Sequence, residues 1–261
     1  MNKVGLNMGY FEVFQQKHIA KLILNRPPVN ALSLEVLAEL RMHLETISKD
    51  SEVRVLIITA SGEKFFAAGA DIKGLQNAGV EEGKRINKQF LETFDQLAKL
   101  PIPTICSVNG LSLGGGTELA LACDIRIASD QAQFGLPETN LGLIPGGGGT
   151  QRLPRLVSTG RAKDILFTGR RVSAKEALEI GLVEYVVTYP ELSDFSDKLA
   201  QTISEKSPNA IRTIKQAINS GMNTDLTTGL EIELELGSYC FGSEDFSKGI
   251  SAFLEKRKSV F

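Results

Sequence analysis

Two glutamates, each embedded in glycine-rich sequence, carry the chemistry open to this chain of 261 residues. Glu118 ends the run Gly114-Gly-Gly-Thr-Glu118. Glu138 ends Phe134-Gly-Leu-Pro-Glu138 and precedes Ile144-Pro-Gly-Gly-Gly-Gly149. Glycine leaves backbone N–H groups accessible, and both stretches are otherwise mostly apolar. A pair of carboxyl groups set this way suits general acid–base chemistry on a carbonyl compound. A glycine run between a strand and a helix also presents N–H groups at the positive end of the helix dipole, where an oxyanion or a phosphate can sit. Read singly, each segment has a plain structural alternative. Gly114–Glu118 can be a tight turn with an ordinary first-turn acid, and Pro137-Glu138 is also a helix-start signature. The pairing says more than either motif alone.

Other sources of chemistry are weaker. No GxGxxG and no GxxxxGK[ST] occurs, so nucleotide-loop readings lose support. The small residues of Phe66-Ala-Ala-Gly-Ala-Asp-Ile-Lys73 permit close approach of a ligand to the backbone, with Asp71 as a cap, though a plain surface loop accounts for them equally well. The two histidines, His18 and His43, fall at a strand end and in a helix, away from any metal-like cluster. Cys106, Cys123 and Cys240 are far apart with no CxxC pair, and they read as free, buried thiols in a reducing compartment.

These residues must be positioned by an α/β framework. Tyr10–Gln16 and Ile19–Asn25 read as a hairpin, and Arg26-Pro-Pro-Val-Asn30 breaks the pattern. Ser33 is an N-cap for a helix to about Asp50, with Leu37, Leu40, Leu44 and Ile47 on one face. Further strands are expected at Val53–Thr59, Thr104–Val108, Asp124–Ser129 and Val183–Val187, and Phe65–Asp71 as a loop. Helices are expected at Glu81–Leu100, at the segment carrying Glu118, and near Ala174–Ile180. Beyond Leu192 only helices are read, over Leu192–Glu205, Pro208–Ser220, Asp225–Cys240 and Phe246–Lys256. The division expected is a core over 1–191 and a helical C-terminal region over 192–261. Leu226, Leu230, Ile232, Leu234 and Leu236 make one of those helices apolar on more than one side, as a helix that packs on another subunit would be.

Bulk properties bound the rest. Hydrophobic content of 42% and charged content of 23% are ordinary for a soluble globular protein, and a net charge of −2 argues against an electrostatic nucleic-acid binder. The N-terminus has neither signal-peptide nor transit composition, and no apolar run approaches a membrane span. The expectation is a cytoplasmic protein.

Three segments together closely resemble the crotonase, or enoyl-CoA hydratase/isomerase, superfamily: Ala68-Gly-Ala-Asp-Ile72; Asn109-Gly followed by Gly114-Gly-Gly-Thr-Glu118; and Phe134-Gly-Leu-Pro-Glu138 leading to Ile144-Pro-Gly. They occur in the family's order and at compatible spacing. The resemblance runs from Leu22-Ile-Leu-Asn-Arg-Pro27 to Phe253-Leu-Glu-Lys-Arg-Lys258. It implies a spiral of repeated strand–strand–helix units with a helical C-terminal region. It also implies a hydro-lyase that adds water to a trans-2-enoyl-CoA to give the 3-hydroxyacyl-CoA, with no cofactor and no metal. The backbone N–H groups of Ala70 and Gly115 would hold the thioester oxygen. Glu118 would activate the water, and Glu138 would deliver a proton to the α-carbon. Coenzyme A would run beside Ala68, Ala70, Asp71, Ile72 and Lys73, with Gly115 at the thioester; Phe253 would also bind it, and Lys256 would contact the phosphates, sometimes from a neighbouring subunit.

The family commonly assembles as homotrimers or pairs of trimers, so the resemblance implies such an assembly here. One departure stands out: the turn Pro27-Pro-Val-Asn30 lacks the basic residue many hydratases carry there, which leaves Arg26 or Lys256 to meet the phosphates. Within the superfamily the rival is an isomerase, which usually keeps one of the two acids, so possession of both favours hydration. A non-catalytic acyl-CoA-binding member is disfavoured for the same reason. An RNA-binding member is disfavoured because the first long helix offers only Arg41 and Lys49 against Glu35, Glu39, Glu45 and Asp50.

Overall fold

Apolar runs of strand length alternate with helix-period segments, and the chain buries both by laying helices against sheets. The computed structural model describes residues 2–3, 9–71 and 78–261. The short strand β1 (Asn2–Lys3) pairs with β2 (Phe11–Gln16), which forms an antiparallel hairpin with β3 (Ile19–Leu24). Ser33 caps α1 (Leu34–Lys49), its hydroxyl accepting from the Val36 N–H at 3.3 Å. This helix buries Val36, Leu37, Leu40, Leu44 and Ile47 along one face.

Three strand–strand–helix turns follow. They are β4 (Val55–Ala60), β5 (Phe65–Ala68) and α2 (Val80–Ala98); β6 (Thr104–Val108), β7 (Leu111–Leu113) and α3 (Gly115–Leu121); and β8 (Ile125–Ser129), β9 (Gln133–Gly135) and α4 (Gly149–Leu156). Then come α5 (Thr159–Thr168), β10 (Val172–Ser173), α6 (Ala174–Glu179) and β11 (Tyr185–Val187). In each turn the first strand joins one sheet and the second joins another. The larger sheet has the order β1-β2-β3-β4-β6-β8-β11, the smaller β10-β9-β7-β5. Each turn therefore advances both sheets by one parallel strand, which makes the path a spiral.

The expected fold class is observed, with one correction. Phe65–Asp71, expected as a loop, supplies β5, and the smaller sheet as a whole was not foreseen. Its strands are two to four residues long, too short to show a period. They are held by neighbours remote in sequence, not by a pattern of their own.

The core follows from strand alternation. Leu56 and Ile58 face one side of the larger sheet with Leu22, Leu24, Cys106 and Val108, where α1, α2 and α3 pack. Val55 and Ile57 face the other side with Ile19, Ile105 and Ile127. That second face is covered by α7 (Leu192–Ser204) through Leu192 and Ala200, and Lys21 reaches from β3 to Asp197 at 2.7 Å. The remaining helices, α8 (Pro208–Gly221), α9 (Leu226–Phe241) and α10 (Glu244–Leu254), pack chiefly on one another. Cys106 and Cys123 are buried and Cys240 partly so, all three as free thiols. Among the described residues no helix is long and apolar enough to cross a membrane.

Candidate active site

The ends of three parallel strands assemble the site. In the smaller sheet Ala68 of β5 is level with Leu113 of β7, and Leu113 with Gly135 of β9. The ladder runs on past the strands, with Gly69 N–H donating to Leu113 O at 2.8 Å and Gly114 N–H to Gly135 O at 2.9 Å. The residues that follow, Ala70, Gly115 and Glu138, therefore emerge side by side although they are far apart in sequence.

Ala70 is held by its neighbours. Leu32 N–H donates to Gly69 O at 3.0 Å and Asp71 N–H to Leu32 O at 2.9 Å, so the bonds flank Ala70 and leave its own N–H unused. Gly115 is the first residue of α3, where N–H groups have no partner within the helix. Neither N–H has a protein acceptor among the described residues. Gly114, just before it, has φ of +53° and ψ of −123°, a conformation that only glycine adopts without strain. A β-carbon there would also stand 3.0 Å from Glu138 Oε1, so the absent side chain gives that carboxyl its place.

Every residue of α3 is buried, and Glu118 is 3% exposed. Its Oε1 accepts two backbone hydrogen bonds, from Gly147 and Gly149, each at 2.8 Å. Burial pushes the Glu118 pKa up, while the Gly149 and Gly147 N–H groups and the charge of Arg152 oppose that rise. Glu138 opens a 3₁₀ turn, Glu138–Leu141, behind Pro137. Among the described residues its Oε2 is buried without a hydrogen-bond partner. Burial, with a further contribution from the Glu118 charge, raises its pKa to about 7 against the pull of its own backbone N–H.

Both carboxyls face one cavity of about 320 Å³, together with Ala68, Ala70 and Gly115. Ile86 and Phe90 of α2 and Leu141, Leu143 and Ile144 form an apolar wall. A second cavity of about 270 Å³ adjoins it, sharing Ala70, Ile86 and Phe90 and bordered by Glu35, Asp71, Glu82 and Arg85. The first cavity can thus exchange protons, and the second is bordered by charges of both signs.

Of the residues singled out in the sequence, Ala68, Ala70, Gly115, Glu118 and Glu138 converge here, and Asp71 borders the adjoining cavity. Ile72 and Lys73 lie outside the described residues. Phe253 and Lys256 stand at the exposed end of α10 and line neither cavity. Arg26 is engaged internally, donating to Asp71 Oδ2 at 2.6 Å and to Ala31 O at 2.8 Å, so it braces the strand end beside Ala70 and is not a free cation for phosphate. The residues not foreseen are Gly147 and Gly149, the donors to Glu118. The four-glycine run Gly146–Gly149 was the available signal, since such a run is costly to order unless its backbone is needed.

Comparison with known proteins identifies the family. A family model described as enoyl-CoA hydratase/isomerase matches residues 15–261. A short-chain-enoyl-CoA hydratase of Clostridium acetobutylicum is 45% identical over 92% of this chain and 92% of its own. A crotonyl-CoA hydratase of Syntrophomonas wolfei is 43% identical over 97% of this chain and 99% of its own. The crystal structure of an enoyl-CoA hydratase from Bacillus anthracis superposes with a TM-score of 0.93 at 43% identity, covering 97% of this chain and 98% of that one. A family model that matches nearly the whole chain, relatives above 40% identity and a shared overall fold place this chain in the enoyl-CoA hydratase/isomerase family, the crotonase superfamily.

Proposed function

We propose that the chain is an enoyl-CoA hydratase, adding water reversibly and syn across the 2,3 double bond of a trans-2-enoyl-CoA. The observation that carries this reading is the convergence of Glu118 and Glu138 on one cavity beside the unpartnered N–H groups of Ala70 and Gly115. The thioester oxygen accepts from those two N–H groups. Water oxygen bonds to C3 as Glu118 takes a proton from it, and the π pair of the double bond takes a proton from Glu138 at C2. The negative charge that builds on the thioester oxygen meets two fixed donors, and losing one such donor typically costs about 10²–10³ in rate. Glu118 gains a proton and Glu138 loses one, so both are restored by exchange before the next turnover.

The two acids differ in the way this requires. Glu118 is bonded by two N–H groups that favour its carboxylate, whereas Glu138 is raised to about 7 and holds a proton near neutrality. The names of the two hydratases compared above favour a short, four-carbon acyl chain, which fits the limited cavity and its apolar wall. Crotonyl-CoA is accordingly the substrate to assay, by the loss of its enone absorbance on hydration. Conversion of a 3-enoyl-CoA to the 2-enoyl isomer, with no hydration of crotonyl-CoA, would identify an isomerase and sink this reading.

Assembly belongs to the same proposal. Leu226, Leu230, Leu234, Tyr239 and Phe241 of α9 and Phe253 and Leu254 of α10 are 55–79% exposed in the single chain. Apolar surface on this scale marks an interface, and a homotrimer or dimer of trimers would cover it. It would also bring the α10 end, with Phe253 and Lys256, to a neighbouring subunit's coenzyme. Sedimentation of the purified protein as a monomer at micromolar concentration would count against the assembly.

A further inference from the structure

We propose that Arg152 is a positioning residue for hydration: its guanidinium pins the glycine backbone that grips Glu118, and its fixed positive charge stands behind that carboxyl. The inference rests on the hydratase reading and adds to it a group that does not touch substrate.

The need for such a pin is physical. The two donors to Glu118 belong to Gly146–Gly149, the most freely moving kind of backbone. Catalytic donors and bases are effective only when they are held in place before the reaction. Something outside the run must therefore hold it. Arg152, three residues into α4, donates from Nη1 to Gly147 O at 2.9 Å. Gly147 is thereby fastened from both sides, its carbonyl to Arg152 and its N–H to Glu118 Oε1. Gly148 has φ of +108°, and a β-carbon there would stand 2.2 Å from Arg152 Nη1, so the guanidinium lies directly against the backbone it holds.

The charge acts in the same sense. The side chain of Arg152 is 20% exposed, and its nearest carboxylate is Asp95 of α2, 3.9 Å from Nη2. Asp95 is also bonded to Lys99 at 2.6 Å, so it neutralises Arg152 only in part. Among the described residues the charged groups facing Glu118 are few. Arg152 comes from α4, Asp95 from α2 acts through Arg152, and Glu138 comes from the turn across the cavity, while β5 and β7 carry no titratable side chain. Lys99, Arg155, Arg212 and Lys215 line the groove on the far side of Arg152. Among the described residues Arg152 is thus the cation that favours ionised Glu118, and its removal raises the Glu118 pKa.

The test is the hydration of crotonyl-CoA by wild type, Arg152→Gln and Arg152→Lys across pH, together with melting temperatures. For Arg152→Gln the expected result is a fall in kcat of about 10–100-fold with KM little changed. Its acid limb should move to higher pH by about 1 unit, because an opposite charge has been withdrawn from the base. Lysine keeps the charge but not the fork, so Arg152→Lys should retain the wild-type acid limb with a reduced kcat. An acid limb that stays put in Arg152→Gln overturns the proposal, whether kcat is retained or lost in step with melting temperature. If Arg152→Gln does not fold, Arg152→Lys decides alone, and wild-type kcat or a displaced limb in that variant overturns the proposal. Failure of wild type to hydrate crotonyl-CoA would instead strike the hydratase reading, before any variant is compared.

Discussion

Glu118 and Glu138 are the same residue in two different electrostatic settings. Glu118 is almost fully enclosed, yet two backbone N–H groups meet its Oε1 and a guanidinium stands behind it. Glu138 is less enclosed, but among the described residues its Oε2 has no partner, and the charge that acts on it is that of the other carboxyl. Depth of burial therefore does not decide which acid keeps its proton; the donors supplied to each carboxylate do. The glycine run after Glu138 provides those donors to Glu118 and none to Glu138. One loop thus sets the two acids apart, as the proposed division into a base and a proton donor requires.

The most severe way to break this contrast is to erase either acid. Glu118→Gln and Glu138→Gln should each lower kcat for crotonyl-CoA by at least about 10²-fold while acyl-CoA still binds, as turnover and ligand titration together would report. Near-normal turnover in either variant would remove that residue from the chemistry.

A milder intervention disturbs the donors and spares the acids. In Gly147→Ala the new β-carbon would stand 2.9 Å from Glu118 Oε2 and 2.7 Å from a Phe94 ring carbon. Displacing Glu118 this way should cost about tenfold or more in kcat, and unchanged kinetics would show that the Gly147 contact is not needed.

The contrast can then be sharpened by pH. Glu138 must be protonated to donate, and its pKa is about 7, so the hydration rate should fall as pH rises through that value. In Glu118→Gln the neighbouring negative charge is gone, and the Glu138 titration should move to lower pH. Labelled carboxyl carbons followed by NMR would show it, and an unmoved titration would mean that the two acids do not sense each other.

The smallest effect concerns stability. The folded pKa of Glu138 lies above the ordinary value of 4.5, so the folded state binds the extra proton. Stability due to this group is therefore complete at low pH and is lost as pH rises from about 4.5 to about 7. Glu138→Gln cannot ionise, and its melting temperature relative to wild type should be higher at pH 8 than at pH 5. Equal differences at both pH values would contradict the raised pKa.

Much of the fold could be read in advance where elements are long. The periodic positions Leu37, Leu40, Leu44 and Ile47 face inward as expected, and the helices from Leu192 onward agree to within a few residues. The smaller sheet could not be read, because strands such as Leu111–Leu113 and Gln133–Gly135 are defined by their partners. The helix α4 was also missed, since it begins in glycine and contains Pro154, both of which argue locally against a helix. For α5 the signals were present, with Ser158 as a cap and Gly169 ending the helix in the left-handed region, but no long apolar period joins them. In the site, Glu118, Glu138, Ala70 and Gly115 were legible through the family's motifs, and Arg152 was not, because a single arginine in a short helix carries no pattern.

Residue types and their order were sufficient for the α/β class, the family, and the two acids set among glycines, since these depend on local composition and motif spacing. Folding alone decided that the ends of β5, β7 and β9 lie level, so that four separated residues meet at one cavity. It also decided which carboxyl receives the N–H donors and that Arg26 turns inward to Asp71. Proton affinity depends on the distances and solvent exclusion that only packed neighbours create, and those neighbours are remote along the chain.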